Sequence, residues 1–243
     1  ELNLLMSSRT KLDSYSPRPF WVRYLLNYLA LFLGSLLFKI KVTGHSNIPK
    51  KGPFIVAGNH FNIIDPPLVI FAMRRPVTFL AASDMEVNWY EHLGMWVYGF
   101  IPTNRKQLGP STIKSAKKVL RNDDILGIFP EGNTQALELR SAKAGVVYLS
   151  TTEKVKILPI GIHGLKDNFF TYLFKGVRPK ITINIGKTFG PFDLPKDRSK
   201  KDITLKKIGK EVMLNIAALL PDDCHGEYSG NTQIEDIRKN MNN

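Results

Sequence analysis

The 243-residue chain has one cysteine, Cys224. That excludes a disulfide framework and any multi-cysteine zinc site, and makes a reducing compartment the default. Acidic residues are scarce: 21 Asp and Glu stand against 34 Lys and Arg, a net charge of +13. There is no Gly-x-Ser-x-Gly elbow. Gly44-His45-Ser46-Asn47-Ile48 lacks the final glycine, so the sequence offers no strand-to-helix serine nucleophile of that kind. No internal repeat or low-complexity tract is visible. Nor is there an uncharged apolar run long enough to span a bilayer squarely. The longest, residues 24–38, makes a helix of roughly 22 Å against a hydrocarbon core of ~30 Å.

What is present is enough hydrophobic residue, 43% of the chain, for one large globular domain. The positive balance points to a polyanionic partner: nucleic acid, an anionic membrane face or a phosphorylated ligand. Residues 175–210 hold eleven basic residues against Asp193, Asp197 and Asp202, which reads either as a solvated face or as part of such a contact. The chain opens on Glu1 rather than Met, so a native start upstream is expected.

Residues 1–41 read as a loose, proline-containing arm followed by an apolar helix over 21–38. Arg23, Asn27, Ala30 and Gly34 fall on one narrow stripe of that helix; the rest of its circumference is large and apolar. Such a pattern suits a stripe against the protein body and a broad face toward lipid. Phe20, Trp21, Tyr24 and Tyr28 would then sit at headgroup level, and Arg18, Arg23, Lys39 and Lys41 would meet anionic lipid. A fully buried core helix is the competing reading. A signal peptide fits less well, because no small-residue cleavage site precedes the globular pattern.

From residue 42 to 220 the hydrophobic period keeps changing, as in an α/β domain. Strands are expected at 54–57, 77–82, 98–103, 125–129, 156–162 and 180–185. Helices are expected at 66–73, at 112–121 capped by Ser111, at 142–152 after Ser141, and at 203–220 after Asp202. The expected architecture is a mixed central sheet flanked by helices, with the apolar helix associating with membrane. Residues 221–243 read as a polar, peripheral tail.

The chemistry concentrates in short blocks. Asn59-His60-Phe61-Asn62-Ile63-Ile64-Asp65 follows an apolar strand and sets an imidazole five positions from a carboxylate. A carboxylate on one ring nitrogen leaves the other to take a proton from a hydroxyl. On a helix the two side chains would diverge by about 140°, so a loop must bring them together. Pro66 and Pro67 push Asp65 out of helical dihedrals and favour a helix start just after it, so Asp65 is expected to be an N-cap as well. The plain alternative is a satisfied loop histidine. Phe129-Pro130-Glu131-Gly132 places a carboxylate at the carboxyl end of another strand, where α/β folds bind ligands, or forms an ordinary turn. Gly99-Phe100-Ile101-Pro102-Thr103-Asn104-Arg105 runs out to a guanidinium that could grip a phosphate, or to a surface arginine. Ile157-Leu158-Pro159-Ile160 is an apolar strand with an internal proline.

In this order and spacing, the four blocks resemble the glycerolipid acyltransferase family, over about residues 42–165. The resemblance implies that His60 is the general base for a lysophospholipid hydroxyl and that Asp65 orients it. It implies an acyl thioester donor, acyl-coenzyme A or acyl carrier protein, with no cofactor and no metal. Asn59, Arg105, Glu131, Gly132 and Lys143 would form the acceptor site, Arg105 and Lys143 toward its phosphate. It implies no covalent enzyme intermediate and a monotopic or peripheral place on the cytoplasmic face of a membrane, with lipid and no nucleic acid as partner. Three departures stand out. Asn62 replaces a frequent serine, Asn133-Thr134-Gln135 carries no arginine after the glutamate block, with Arg140 nearby at another offset, and the N-terminal arm is long. Three other classes fit parts of the pattern. They are a nucleic-acid-binding protein, a metal-dependent hydrolase using His60, Asp65 and Glu131 with only an isolated His163 to add, and a non-catalytic membrane-binding relative.

Overall fold

The computed structural model describes residues 18–82, 97–104, 109–132, 137–165, 169–195 and 197–242. Its strands are β1 (Lys39–Thr43), β2 (Phe54–Gly58), β3 (Val77–Ala82), β4 (Phe100–Thr103), β5 (Ile125–Ile128), β6 (Ile157–His163) and β7 (Lys180–Ile185). Its helices are α1 (Phe20–Leu37), α2 (Asp65–Met73), α3 (Pro110–Arg121), α4 (Gly145–Glu153), α5 (Phe169–Phe174), α6 (Arg198–Ala217) and α7 (Gln233–Asn242). The strands form one sheet in the order β1-β7-β6-β2-β5-β3-β4. Every neighbouring pair is parallel except β6 and β7. The chain is therefore α/β with a mixed central sheet, as its changing hydrophobic period implies.

The central strands are apolar throughout because both faces of the sheet are covered. In β2, Phe54 and Val56 face the core shared with α1 and α2, while Ile55 and Ala57 face the core shared with α3, α4 and α6. The reversal at β7 has a topological effect. Since His163 pairs with Thr182, β7 begins at the edge where β2, β5 and β6 end. Since Lys39 pairs with Lys180, β1 and the end of α1 begin there too.

The α1 stripe faces the body. Arg23 donates from Nη2 to Thr78 Oγ1 at 2.9 Å, and Asn27 Oδ1 accepts from the Tyr98 hydroxyl at 3.0 Å. A Cβ on Gly34 would lie 2.7 Å from the Phe71 ring, so the glycine permits the approach of α1 to α2. Trp21, Leu25, Tyr28, Phe32 and Leu36 are exposed, which removes the reading of a fully buried core helix. Arg23 is buried and engaged, so it does not face lipid.

Several local expectations shift. Residues 39–43 form a strand that crosses the expected division at 41/42. Helix α3 starts at Pro110 after Gly109, with Pro in the first turn, so Ser111 is not its cap. Helix α6 starts five residues early, because the Asp197 carboxylate accepts the Ser199 N–H at 3.0 Å. Helix α4 begins only at Gly145. The preceding segment is tied elsewhere: Leu139 N–H to the Cys224 carbonyl and Lys143 N–H to that of Pro130. The segment after Pro221 is not peripheral. His225, Tyr228 and Ile234 are buried, and Arg238 donates to the carbonyls of Ala218 and Leu220.

Candidate active site

Two turns meet at the carboxyl edge of the sheet, one after β2 and one after β5. In the first, the Asp65 N–H donates to the Asn62 carbonyl at 3.1 Å, closing a tight reversal. The Asp65 carboxylate then points back into the turn. Its Oδ2 accepts the Asn62 N–H at 2.7 Å and lies 3.2 Å from His60 Nδ1. The loop thus brings together two side chains that a helix would separate. Asp65 itself occupies the first position of α2, with Ile64 as the N-cap and no side-chain cap bond. The expected capping of α2 by Asp65 is therefore incorrect. Its oxygen holds the turn ahead of the helix instead.

The imidazole lies against Phe129, with ring centroids 4.2 Å apart and planes 20° apart, and Phe129 stacks in turn on Phe79. A ring held by a carboxylate at Nδ1 and an aromatic face at its side has little rotational freedom. The His60 side chain keeps 18% exposure, so the imidazole is not sealed off. Phe129 was not singled out from sequence, although it opens the glutamate block.

Glu131 occupies the second turn, closed by the Gly132 N–H on the Phe129 carbonyl at 3.1 Å. It is only 6% exposed. Oε1 accepts the His60 N–H and Oε2 the Arg140 N–H, each at 3.1 Å. The carboxylate thus ties the His60 turn to the segment carrying Arg140. Burial pushes its pKa up to about 7, with the Asp65 charge adding to the rise and the two N–H groups opposing it. Gly132 has φ +66° and a Cβ there would meet Lys143 Nζ at 2.9 Å, so glycine lets the lysine lie across the turn. Lys143 and Arg140 are both exposed at this mouth.

Asn59, expected to bind substrate, is 0% exposed. Its amide donates to the Ile162 carbonyl and accepts the Ile162 N–H, both at 2.8 Å. It clips the end of β2 to β6 and cannot touch a ligand. Arg105 and the stretch Asn133-Thr134-Gln135 lie outside the described residues. Among the described residues, no three His, Cys, Asp or Glu side chains are grouped to hold a metal ion.

An α/β sheet with a His–Asp turn and a buried glutamate turn at its carboxyl edge defines a class, and comparison with known proteins gives that class its family. The family model described as Acyltransferase matches residues 39–163, just over half of the chain, and the chain belongs to that family. Among curated relatives, a 1-acyl-sn-glycerol-3-phosphate acyltransferase of Borreliella burgdorferi is 32% identical over 145 residues, 58% of this chain and 57% of that protein. A Bacillus subtilis protein of the same name is 28% identical over 163 residues, 66% of this chain and 79% of that one. The crystal structure of the 1-acyl-sn-glycerophosphate (LPA) acyltransferase PlsC from Thermotoga maritima has the same fold. Its TM-score is 0.53 at 21% identity, covering 78% of this chain and 79% of that one. The chain thus spans little more than half the length of the Borreliella relative.

Proposed function

We propose that this protein is an O-acyltransferase that moves a fatty acyl group from a thioester to a lysophospholipid hydroxyl, with 1-acylglycerol 3-phosphate as acceptor and phosphatidic acid as product. The observation that carries the reading is the 3.2 Å contact of His60 Nδ1 with Asp65 Oδ2 at the carboxyl edge of the sheet. With Nδ1–H donated to Asp65, Nε2 holds the lone pair and takes the acceptor's proton. The alkoxide oxygen attacks the thioester carbonyl, a C–O bond forms, the C–S bond breaks, and the thiolate leaves with the proton returned by His60. Asp65 stabilises the transient imidazolium.

Lys143 and Arg140 at the mouth, with Arg105, supply positive charge for the acceptor's phosphate. Glu131 acts through His60 and Arg140, whose backbone N–H groups it holds. The relatives' names support the acceptor, and acylating its free hydroxyl gives phosphatidic acid. The donor is acyl-coenzyme A or acyl carrier protein. The exposed apolar face of α1 supports association with a membrane; the reading makes that association monotopic or peripheral, on the cytoplasmic face. The test is thiol release from each donor with 1-acylglycerol 3-phosphate, glycerol 3-phosphate and other lyso-lipids, with products identified by mass. The reading expects fastest release with 1-acylglycerol 3-phosphate and phosphatidic acid as product. Release that ignores the acceptor would overturn it.

A further inference from the structure

A second apolar surface stands beside the end of α1, in the turn between α5 and β7. Phe174 is 87% exposed and Val177 51% exposed, with Lys175 and Arg178 alternating between and after them. These side chains are displayed by a built turn. The Val177 N–H donates to the Tyr172 carbonyl at 3.0 Å and Gly176 has φ +61°, the bonding of a helix closed by a left-handed glycine. Arg178 Nη2 donates to the carbonyls of Ser35 and Phe38, the latter at 2.9 Å, so the turn is fastened to the last residues of α1. Between them lies a mainly apolar crevice of about 180 Å³, lined by Leu36, Leu37, Tyr172, Val177 and Arg178.

Two features identify what covers this surface. It is continuous, through Leu36, with the exposed apolar face of α1. It also carries exposed cations: Arg178 lines the crevice, Lys175 stands between Phe174 and Val177, and Lys39 and Lys180 open the two strands that follow, on a chain of net charge +13. Apolar tips fenced by basic side chains match an anionic bilayer interface. The sheet topology adds a consequence. β7 runs against β6, so this turn and the end of α1 lie at the same sheet edge as His60.

We propose that the 174–178 turn is a second membrane contact, which inserts Phe174 and Val177 between anionic headgroups and, with α1, sets the His60 edge of the sheet against the lipid surface. The proposal rests on the membrane-associated reading of α1 and adds a second, separate point of attachment. Two attachment points fix an orientation that one helix leaves free to rotate.

The experiment is sedimentation of the full chain with phosphatidylcholine vesicles and with mixed phosphatidylcholine–phosphatidylglycerol vesicles. Phe174→Asp/Val177→Asp is expected to bind the mixed vesicles roughly tenfold more weakly with an unchanged melting temperature. Lys175→Glu is expected to weaken binding to the mixed vesicles alone. If the turn variant binds like wild type while Leu25→Asp/Phe32→Asp is released, the second contact is overturned and the membrane reading stands. If wild type fails to bind either vesicle, both are overturned. Should the charged variants misfold, Val177→Cys in a Cys224→Ser background carries an environment-sensitive fluorophore. Vesicles are expected to shift its emission to the blue. Unshifted emission, or a shift produced by dimerisation without lipid, would overturn the proposal.

Discussion

The turn after β2 and the turn after β5 lie side by side at one sheet edge, and they treat their ionisable groups in opposite ways. The first leaves the His60 imidazole partly open. The second withdraws the Glu131 carboxylate until both its oxygens are occupied by backbone N–H groups. A motif carboxylate can thus be spent wholly on backbone groups of its neighbours. One turn leaves an imidazole partly open, and the other holds that residue's backbone in place.

Substitutions can break this division of labour. The largest effect is expected from His60→Ala: acyl transfer falls by roughly 10³-fold or more, while melting and vesicle binding stay near wild type. Retained turnover would remove His60 from the base role. Next comes Asp65→Asn. It is expected to lower kcat by roughly 10²-fold or more and to leave acceptor KM nearly unchanged, because the imidazole loses the charge that stabilises its protonated form. Asn can still accept the Asn62 N–H, so the stability loss should be about 1 kcal/mol or less.

Glu131→Gln is expected to lower kcat by only roughly tenfold, since the amide keeps one acceptor and loses the other. A fall equal to that of His60→Ala would contradict a positioning role. The same variant tests the raised carboxyl. Its folded pKa of about 7 lies above the ordinary 4.5. The neutral carboxyl therefore stabilises the fold fully below pH 4.5, and that stability is lost as pH rises through about 7. The stability difference between wild type and Glu131→Gln should shift by on the order of 3 kcal/mol across that window. Denaturation curves at pH 4.5 and 8 measure it, and parallel curves would refute the shift. The smallest effect belongs to Gly132→Ala, about 1–2 kcal/mol of stability from a side chain forced to positive φ, with Lys143 displaced. A wild-type melting temperature would show that the turn can relax.

The helix faces and most strands were legible because periodicity records which side meets the core. The α1 stripe of Arg23, Asn27, Ala30 and Gly34 is a narrow polar and small band on an apolar helix, and such a band has to face protein. β1 was also legible in principle, since Lys39-Ile40-Lys41-Val42-Thr43 alternates as an edge strand does, but the long apolar helix before it obscured the change of period. The C-terminal segment was misread because polarity dominates it, and burial of Tyr228 and Ile234 depends on contacts far away in the chain. At the site, the pairing of His60 with Asp65 could be inferred from spacing and the two prolines. The use of Asn59 on Ile162 and of Glu131 on Arg140 could not, because both partners are backbone groups that carry no sequence signature.

Direct, base-assisted transfer from thioester to hydroxyl can be tested by rapid mixing of near-stoichiometric enzyme with acyl-coenzyme A. No burst of free thiol is expected until 1-acylglycerol 3-phosphate is present, and thiol and phosphatidic acid should then appear together one for one. A thiol burst of about one equivalent per enzyme without acceptor would reveal a covalent acyl-enzyme and contradict the role given to His60 and Asp65.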